Sequence, residues 1–378
     1  MKEKRIKDKE MGLMNQIQTE AAGTPLEGSS ESQKTAAPKK KKSVIKRIIF
    51  GVVAGIVLLA AAFSVLAYVT YKQDSIRVEW KNAALEAAVR EYTGIPTDDI
   101  EKGDLKDIII VNIQGDKIYF DTTEPPEESN EYGSGCYDLS DMQNFPKMRI
   151  LIVNNSEISN LDALANVKGL KSLDLANDGI SDISILAAAQ KLAKQLTLLD
   201  LSHNEISDIE ALSGYKKLVF LDLHSNKISD LSALSSLTQI ESLYIEDNNV
   251  GDIEAVRGLS KLENFYMDDN RISDISAISS LTKLEYLTME NNGISDISPL
   301  KNLTEITLLE LCTNEISDIS ALATLTKLSD LDISDNEISD ISIISGLTNL
   351  NWLNIANNEA IQDYSPLDAL AEDAEIYK

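Results

Sequence analysis

The side chains most able to do acid–base or metal chemistry are sparse in this sequence. There are two histidines, His203 and His224, and two cysteines, Cys136 and Cys312. A structural zinc site needs about four such ligands at short spacing, and a catalytic nucleophile needs a base beside it. No cysteine–histidine cluster, glycine-rich phosphate loop or nucleophile–base pair occurs at a usable spacing. We therefore predict that the protein is not an enzyme and has no metal ion or cofactor.

One histidine and three acidic residues recur at a fixed interval of 22 residues. The positions are His224, Glu246, Asp268 and Glu290, which we call the acidic column. Neighbouring carboxylates about 4.8 Å apart repel one another, and such a row could hold Ca²⁺ or attract a basic partner. We favour a partner with a basic surface, because Ca²⁺ takes about six to eight oxygen ligands and rigid strands rarely supply them.

Aromatic residues are only 5% of the chain, yet several lie beside the acidic column. They are Phe220, Tyr244, Tyr266 and Tyr286, and Trp352 follows as a separate aromatic nearer the C-terminus. Large, rigid aromatic side chains are typical of recognition surfaces, although in a sheet they also support their cross-strand neighbours. From the clustering we predict that these five residues and the acidic column form an exposed aromatic–acidic patch that binds a protein ligand.

A 22-residue repeat decides where these side chains lie. The pattern L-x-x-L-x-L-x-x-N-x-I-S-D-I-x-x-L recurs, for example over residues 218–234. Its asparagines are Asn204, Asn226, Asn248, Asn270, Asn292, Asn314, Asn336 and Asn358. Ser156 and Asp178 take the same position in two earlier copies, and four extra residues within 187–195 lengthen one repeat. A fixed period of this length is the signature of a solenoid, with one short strand per repeat stacked into a parallel sheet.

Each position of the repeat has a physical role. Leu221 and Leu223 point inward from the strand, whereas Phe220 and the other alternate residues point outward onto the concave face. The asparagine amides turn inward and satisfy backbone groups of adjacent turns. The aspartate of each Ser-Asp-Ile segment, such as Asp230 or Asp274, is placed to cap the short helical turn that follows it.

The pattern resembles the leucine-rich repeat class and, more narrowly, the bacterial internalins. The narrower resemblance rests on segments such as Ile206-Ser207-Asp208-Ile209 and on residues 85–94, which look like the helical cap that precedes the repeats in such proteins. In this cap Leu85, Ala88, Val89 and Tyr92 form an apolar face, and Gly94 ends the helix. The resemblance covers about residues 82–378 and implies an α/β leucine-rich repeat solenoid that recognises proteins. The chain departs from it in having no wall-sorting motif or module after the repeats.

An uncharged run of 24 residues, 48–71, predicts one transmembrane helix. As a helix it reaches roughly 36 Å, which is enough to cross a bilayer. Basic residues within 39–47 precede the run, so the N-terminus is expected in the cytoplasm and the repeats outside the cell membrane. A signal peptide cleaved near 65–67 is the alternative, but signal peptides have a shorter apolar region of about 7–15 residues.

The distribution of charged residues divides the chain at the boundaries of the uncharged run. The chain carries 35 Lys and Arg against 61 Asp and Glu. Residues 1–47 contain 12 of the basic and 6 of the acidic residues, and residues 48–71 contain no charged residue. Residues 72–378 therefore contain 23 basic and 55 acidic residues. Such an acidic body repels nucleic acid. We predict a disordered tail (1–47), a signal anchor (48–71), a juxtamembrane segment with the helical cap (72–104) and a repeat domain (105–378) with a protruding acidic loop at 121–137.

The functional hypothesis is therefore a membrane-anchored, extracytoplasmic recognition or adhesion module. Two alternatives stay open, an envelope spacer that contacts glycan and has no dedicated protein ligand, and a sensor that transmits binding through the single span. The two cysteines lie about eight repeats apart, roughly 38 Å, so no disulfide between them is expected.

Overall fold

The computed structural model of the chain describes residues 11–17, 70, 72–123, 133 and 135–378. The anchor predicted at 48–71 lies outside the described residues except for Thr70, as do most of the tail and the middle of the acidic loop. No described helix is long and apolar enough to cross a bilayer. Residues 11–17 are helical, although we expected no regular structure in the tail.

The described residues form a solenoid whose parallel sheet confirms the fold expected from the repeat. The strands are β1 (Ile110–Gln114), β2 (Lys117–Phe120), β3 (Cys136–Asp138), β4 (Ile150–Asn154), β5 (Glu157–Ser159), β6 (Ser172–Asp174), β7 (Leu198–Asp200), β8 (Phe220–Asp222), β9 (Ser242–Tyr244), β10 (Asn264–Tyr266), β11 (Tyr286–Thr288), β12 (Leu308–Glu310), β13 (Asp330–Asp332), β14 (Trp352–Asn354) and β15 (Glu375–Tyr377). Strands β4 and β6 to β15 stack in chain order, and β1 with β2 completes the sheet beside β4. Strands β3 and β5 form a separate parallel pair.

Short helices face the sheet across the core. Besides residues 11–17 and 72–74, the described α-helices are Ala83–Thr93, here called the cap helix, and Gln190–Ala193, which accommodates the four extra residues of its repeat. The 3₁₀ helices are Lys102–Leu105, Leu139–Asn144, Leu161–Asn166, Ser184–Ala188, Glu210–Gly214, Ser232–Ser236, Glu254–Gly258, Ser276–Ser280, Ser298–Asn302, Ser320–Thr324, Ser342–Gly346 and Ser365–Ala369. Leu221, Leu223, Ile228 and Leu234 are fully buried between strand and helix in one repeat, and their equivalents extend this core along the chain.

The asparagines bind the backbone as predicted. The amide nitrogen of Asn226 donates to the carbonyls of Leu201 and Leu223 at 3.0 and 3.1 Å. Its oxygen accepts from the N–H of Ile206 at 3.0 Å. Equivalent bonds recur up to Asn358, so each amide joins two adjacent turns of the solenoid. These buried or half-buried asparagines are structural, since an unpaired amide there would cost free energy.

Asp178 occupies the repeat position that asparagine holds in the later repeats. The residue is buried, and its Oδ1 accepts from the N–H of Ser156 at 2.9 Å. Within the part of the chain that the structure describes, its Oδ2 makes no hydrogen bond. Burial raises the carboxyl pKa to about 8, and the nearby charges of Asp174 and Asp200 add to that rise. A protonated carboxyl has one O–H to donate, whereas each asparagine amide donates two N–H groups to the backbone carbonyls, so this position is less stable than the equivalent asparagine positions.

The aspartates of the Ser-Asp-Ile segments cap the turns as expected. Oδ1 of Asp230 accepts from the N–H of Ser232 at 2.8 Å, and Asp274 makes the same bond to Ser276 at 2.7 Å. These backbone bonds hold the pKa of both carboxyls below the usual range. Because the bond is local to each turn, it explains why the aspartate recurs without any ligand.

The cap helix covers the first turn of the core. Asn82 caps its start, Gly94 ends it at φ 71°, and Leu85 and Val89 are fully buried. The expectation that Tyr92 belongs to the buried face is wrong. Its side chain is 52% exposed, because it reaches past the core to donate a hydrogen bond to Asp121 at 2.7 Å.

The two ends of the sheet are closed differently. After β1, Gly115 adopts φ 58° and the chain returns as β2, which pairs antiparallel with β1 at the sheet edge. Residues 110–120 therefore form a strand of the solenoid that turns back as a hairpin at the edge of the sheet. At the other end β15 adds to β14, and Leu367 and Leu370 finish the core.

Candidate protein-binding surface

The predicted aromatic residues lie together on the outward, concave face of the sheet. Register places Phe220 and Tyr286 at the first strand position, and Tyr244 and Tyr266 at the third, so they occupy two adjacent columns. The Phe220 and Tyr244 rings are 5.2 Å apart between centroids. Tyr244 and Tyr266 stack at 4.7 Å with 12° between their planes. The four side chains belong to one hydrophobic cluster.

The expectation that these aromatic side chains are exposed is wrong for three of them. Phe220, Tyr244 and Tyr266 are at most 3% exposed, whereas Tyr286 is half-buried. They contact one another across strands and share their cluster with Met14 and Ile17 of the helical segment 11–17. Burial raises the pKa of the Tyr244 hydroxyl, with the nearby Tyr266 adding to the rise.

The acidic column lies beside the aromatic residues, two positions after the ends of the strands. Glu246 and Glu290 are half-buried, but Asp268 is buried and serves the fold. Its carboxylate accepts from the Thr288 hydroxyl at 2.8 Å and from the N–H of Glu290 at 2.7 Å. Among the described residues no group of three or more acidic, histidine or cysteine side chains is arranged to hold a metal ion.

Trp352 lies apart from the other aromatic residues, as expected. It is the first residue of β14, is half-buried, and contacts the ring of Tyr377 with centroids 5.8 Å apart. Tyr377 itself is 51% exposed. The pair forms a second aromatic surface near the C-terminal end of the sheet.

A row of buried carboxylates, which the sequence analysis missed, precedes the aromatic residues. Asp174, Asp200 and Asp222 are aligned by register on three adjacent strands. Burial raises the pKa of Asp174 to about 6, despite the hydrogen bond from Asn154. Burial and the charges of its two neighbours raise the pKa of Asp200 well above the usual value. The recurring Leu-Asp-Leu triplets at 173–175, 199–201 and 221–223 were the available signal.

The two histidines meet at the end of this row. Nδ1 of His224 lies 2.7 Å from Oδ1 of Asp222, and its Nε2 lies 2.8 Å from Nε2 of His203. Burial lowers the pKa of His224, but the hydrogen bond and charge of Asp222 outweigh it and raise the pKa to about 9. Burial and the neighbouring His224 lower the pKa of His203. Protonated His224 therefore balances part of the buried negative charge and is a structural member of the acidic column.

Outward apolar residues near the start of the sheet were also missed. Ile110, Ile150, Ile152 and Leu198 occupy outward strand positions, yet all are buried. They join the same cluster as the tyrosines and as Met14. The two cysteines are free thiols, with Cys136 exposed and Cys312 buried at the end of β12.

Comparisons with known proteins agree with this architecture. A family model described as leucine-rich repeats in two copies matches residues 194–236, 260–302 and 282–324. Comparison with curated proteins gives no match. An internalin (inlF) from Listeria monocytogenes is 28% identical, with 79% of this chain and 95% of that chain covered and a TM-score of 0.63. Internalin C2 (inlC2) from the same organism is 30% identical, with 61% and 93% covered and a TM-score of 0.52.

A plant structure shares the fold alone. It is the ectodomain of the membrane receptor kinase GASSHO1/SCHENGEN3 from Arabidopsis thaliana, in complex with Casparian strip integrity factor 2. The identity is 23%, with 68% of this chain and 31% of that chain covered and a TM-score of 0.54.

Proposed function

Because the chain belongs to the internalin-type leucine-rich repeat proteins, we propose that it is a recognition module that binds a protein ligand on its concave face. The observation that carries the proposal is the juxtaposition of an apolar aromatic cluster with a column of carboxylates on that face. A large apolar cluster on the outward side of a sheet is unusual unless something packs on it. The fold class is a non-catalytic interaction scaffold, in which outward strand positions vary without disturbing the core.

The electrostatics favour a ligand with a basic surface. Glu246 and Glu290 are half-buried on the concave face, and residues 72–378 as a whole carry 55 acidic against 23 basic residues. Such a field accelerates encounter with a cationic partner and weakens as salt screens it. The aromatic rings then supply contact area at the centre of the interface.

The module is anchored to the cell membrane in this proposal. The uncharged run 48–71 acts as a signal anchor, with the basic residues before it in the cytoplasm and the repeat domain outside. Protease protection of the tail in sealed membrane vesicles, with cleavage of the repeat domain from outside, tests this topology. Cleavage of the tail alone from outside overturns it.

The binding proposal is tested by reversing charge on the concave face. The double variant Glu246→Lys and Glu290→Lys is made in residues 72–378 and compared with the wild-type residues 72–378 in capturing proteins from envelope fractions and candidate host surfaces. A matched control, Glu315→Lys with Glu337→Lys, makes the same change in net charge at exposed positions outside the column.

We expect a captured protein that is released by salt, is lost with the concave variant and is retained by the control. Equal loss with both variants means that only net charge matters, which contradicts a defined site. Circular dichroism of each variant verifies that the solenoid is intact.

A further inference from the structure

A short helix near the N-terminus, residues 11–17, packs on the concave face of the sheet. Residues 11–17 are helical, and Met14 and Ile17 are 3% and 9% exposed. Both belong to the cluster of Phe220, Tyr244 and Tyr266. Leu13 packs at the margin of the same cluster. More than 200 residues of sequence separate this helix from the tyrosines, so the contact is tertiary.

The segment has two chemically distinct faces. Met14 and Ile17 are three residues apart and share one side of the helix, whereas Gly12, Asn15 and Gln16 are exposed. This is the pattern of an amphipathic helix that lays apolar anchors into a groove. Methionine and isoleucine suit an irregular apolar surface made of tyrosine rings and aliphatic side chains.

A polar contact of Met11 places the helix near the start of the sheet. The Thr123 hydroxyl donates to the Sδ of Met11 at 3.2 Å. Thr123 in turn lies next to β1, because the side-chain amide of Asn112 donates to the carbonyl of Thr122 at 3.2 Å. The outward isoleucines Ile110 and Ile150 lie at the same end of the sheet and are fully buried. The helix thus covers apolar outward positions that the repeat pattern leaves without a partner of their own.

We propose that residues 11–17 are an internal ligand of the concave face, and that the face is a groove for a short amphipathic helix with methionine and isoleucine anchors. The inference rests on the proposed function and deepens it, because it names the kind of element that the partner presents. The internal helix and the partner compete for one surface, so the docked chain is the autoinhibited form.

Membrane insertion then acts as the release step. If residues 48–71 span a bilayer, residues 11–17 and the repeats lie on opposite sides of about 30 Å of hydrocarbon. The helix cannot stay docked on its own repeat domain in that state. The docked form therefore belongs to a chain whose tail and repeats lie on the same side of the membrane, and a bilayer between them leaves the aromatic–acidic patch open to a partner.

Methionine oxidation of the full chain in mild detergent tests the docking. Hydrogen peroxide oxidises exposed methionines, and mass spectrometry reads Met14 against Met267 and Met289, which are buried in the repeat core. Ile17→Asp should raise the oxidation rate of Met14 by about tenfold or more, since a buried carboxylate drives the helix off the apolar surface. The control Gln16→Asp places the same charge on the neighbouring exposed position and should leave the rate unchanged.

A second measurement asks whether the groove recognises the helix. A fluorescent peptide of residues 7–20 should bind the full-length Ile17→Asp chain, whose groove is open, and should bind the wild-type chain much more weakly. The peptide carrying Ile17→Asp should bind neither chain. Protection of Met14 should not change on dilution, because the contact is within one molecule.

Several results would overturn the inference. One is rapid oxidation of Met14 in the wild-type chain. A second is loss of Met14 protection on dilution, which would indicate docking onto a second copy. A third is equal binding of the peptide to the Ile17→Asp chain and to the wild-type chain. Protection of Met14 that persists after insertion into sealed lipid vesicles refutes the release step. None of these outcomes affects the capture of a partner by the concave face, which the charge-reversal experiment tests separately.

Discussion

Replacing Asp178 by asparagine should stabilise the repeat domain, and the gain should depend on pH. The carboxyl pKa is about 8 in the folded protein against 3.8 in the unfolded chain. At pH 7 the folded state must retain a proton that the unfolded state releases, a cost of up to about 4 kcal/mol at about 1.36 kcal/mol per pH unit. The side-chain amide of the Asp178→Asn variant titrates in neither state, so this cost disappears.

The new amide adds hydrogen bonds as well. Equivalent asparagines donate to backbone carbonyls of two turns, as Asn204 does to Leu175 and Leu201 at 2.8 and 3.0 Å. Each such bond contributes about 0.5–1.5 kcal/mol net. Adding the two effects, we expect Asp178→Asn to raise the free energy of unfolding by about 5 kcal/mol at pH 7.

The sign of the pH dependence follows from the raised pKa. Below the unfolded pKa of 3.8 both states are protonated, and the penalty on the wild type is absent. The penalty grows as pH rises from about 4 to 8, so the advantage of the variant should be smallest at pH 4, where mainly the added hydrogen bonds remain, and largest near pH 8. Urea unfolding of residues 72–378 at several pH values measures it.

A reciprocal variant provides the control. Asn204→Asp places the same carboxylate one repeat further along, where three amide bonds now exist, and should destabilise the domain by a similar amount. An Asp178→Asn variant that is no more stable than the wild type, or whose gain is the same at pH 4 and pH 8, would refute this explanation of the asparagine column.

Three further predictions concern other parts of the molecule. Protonated His224 should stabilise the fold by about 1–3 kcal/mol, fully below its unfolded pKa of 6.5 and no longer once pH rises through about 9. His224→Gln should therefore remove this pH dependence of the melting temperature between about pH 6.5 and 9. A thiol reagent should label exposed Cys136 more than about ten times faster than buried Cys312, whose thiol pKa burial raises, until the protein is unfolded. Asp141→Ala should cost about 1–3 kcal/mol and speed hydrogen exchange in the cap helix, because the buried carboxylate accepts from the backbone N–H of Lys81 at 2.9 and 3.0 Å.

The features that could be predicted from sequence are those that repeat. Leu221, Asn226 and Asp230 each recur at the same position of the 22-residue unit, so their burial, backbone bonding or capping follows from one physical argument applied many times. The cap helix was predictable for a different reason. Leu85 and Val89 are at helical spacing just before a glycine, which is a local signal.

The exposure of the aromatic residues could not be predicted from the repeat. Whether Tyr244 is open to solvent depends on what lies over the concave face, and Met14 comes from a segment that has no repeat and no sequence link to the sheet. The placement of Phe220 and Tyr244 in different columns follows from the period itself, because the 24 residues between them are two more than the repeat, and a shift of two residues keeps a side chain on the same face. Tyr92 was misassigned because helical spacing identifies a face and cannot show where that face ends.

The most direct test of concave-face recognition is site-specific photo-crosslinking in intact envelopes. A photoreactive phenylalanine derivative replaces half-buried Tyr286 on the concave face and, in a parallel protein, exposed Glu315 outside the column. We predict one discrete protein adduct from position 286, diminished by Glu246→Lys with Glu290→Lys, and no such adduct from position 315. An adduct formed from position 315 alone, or no adduct from position 286 in envelopes where the protein captures a partner, would contradict recognition by the concave face.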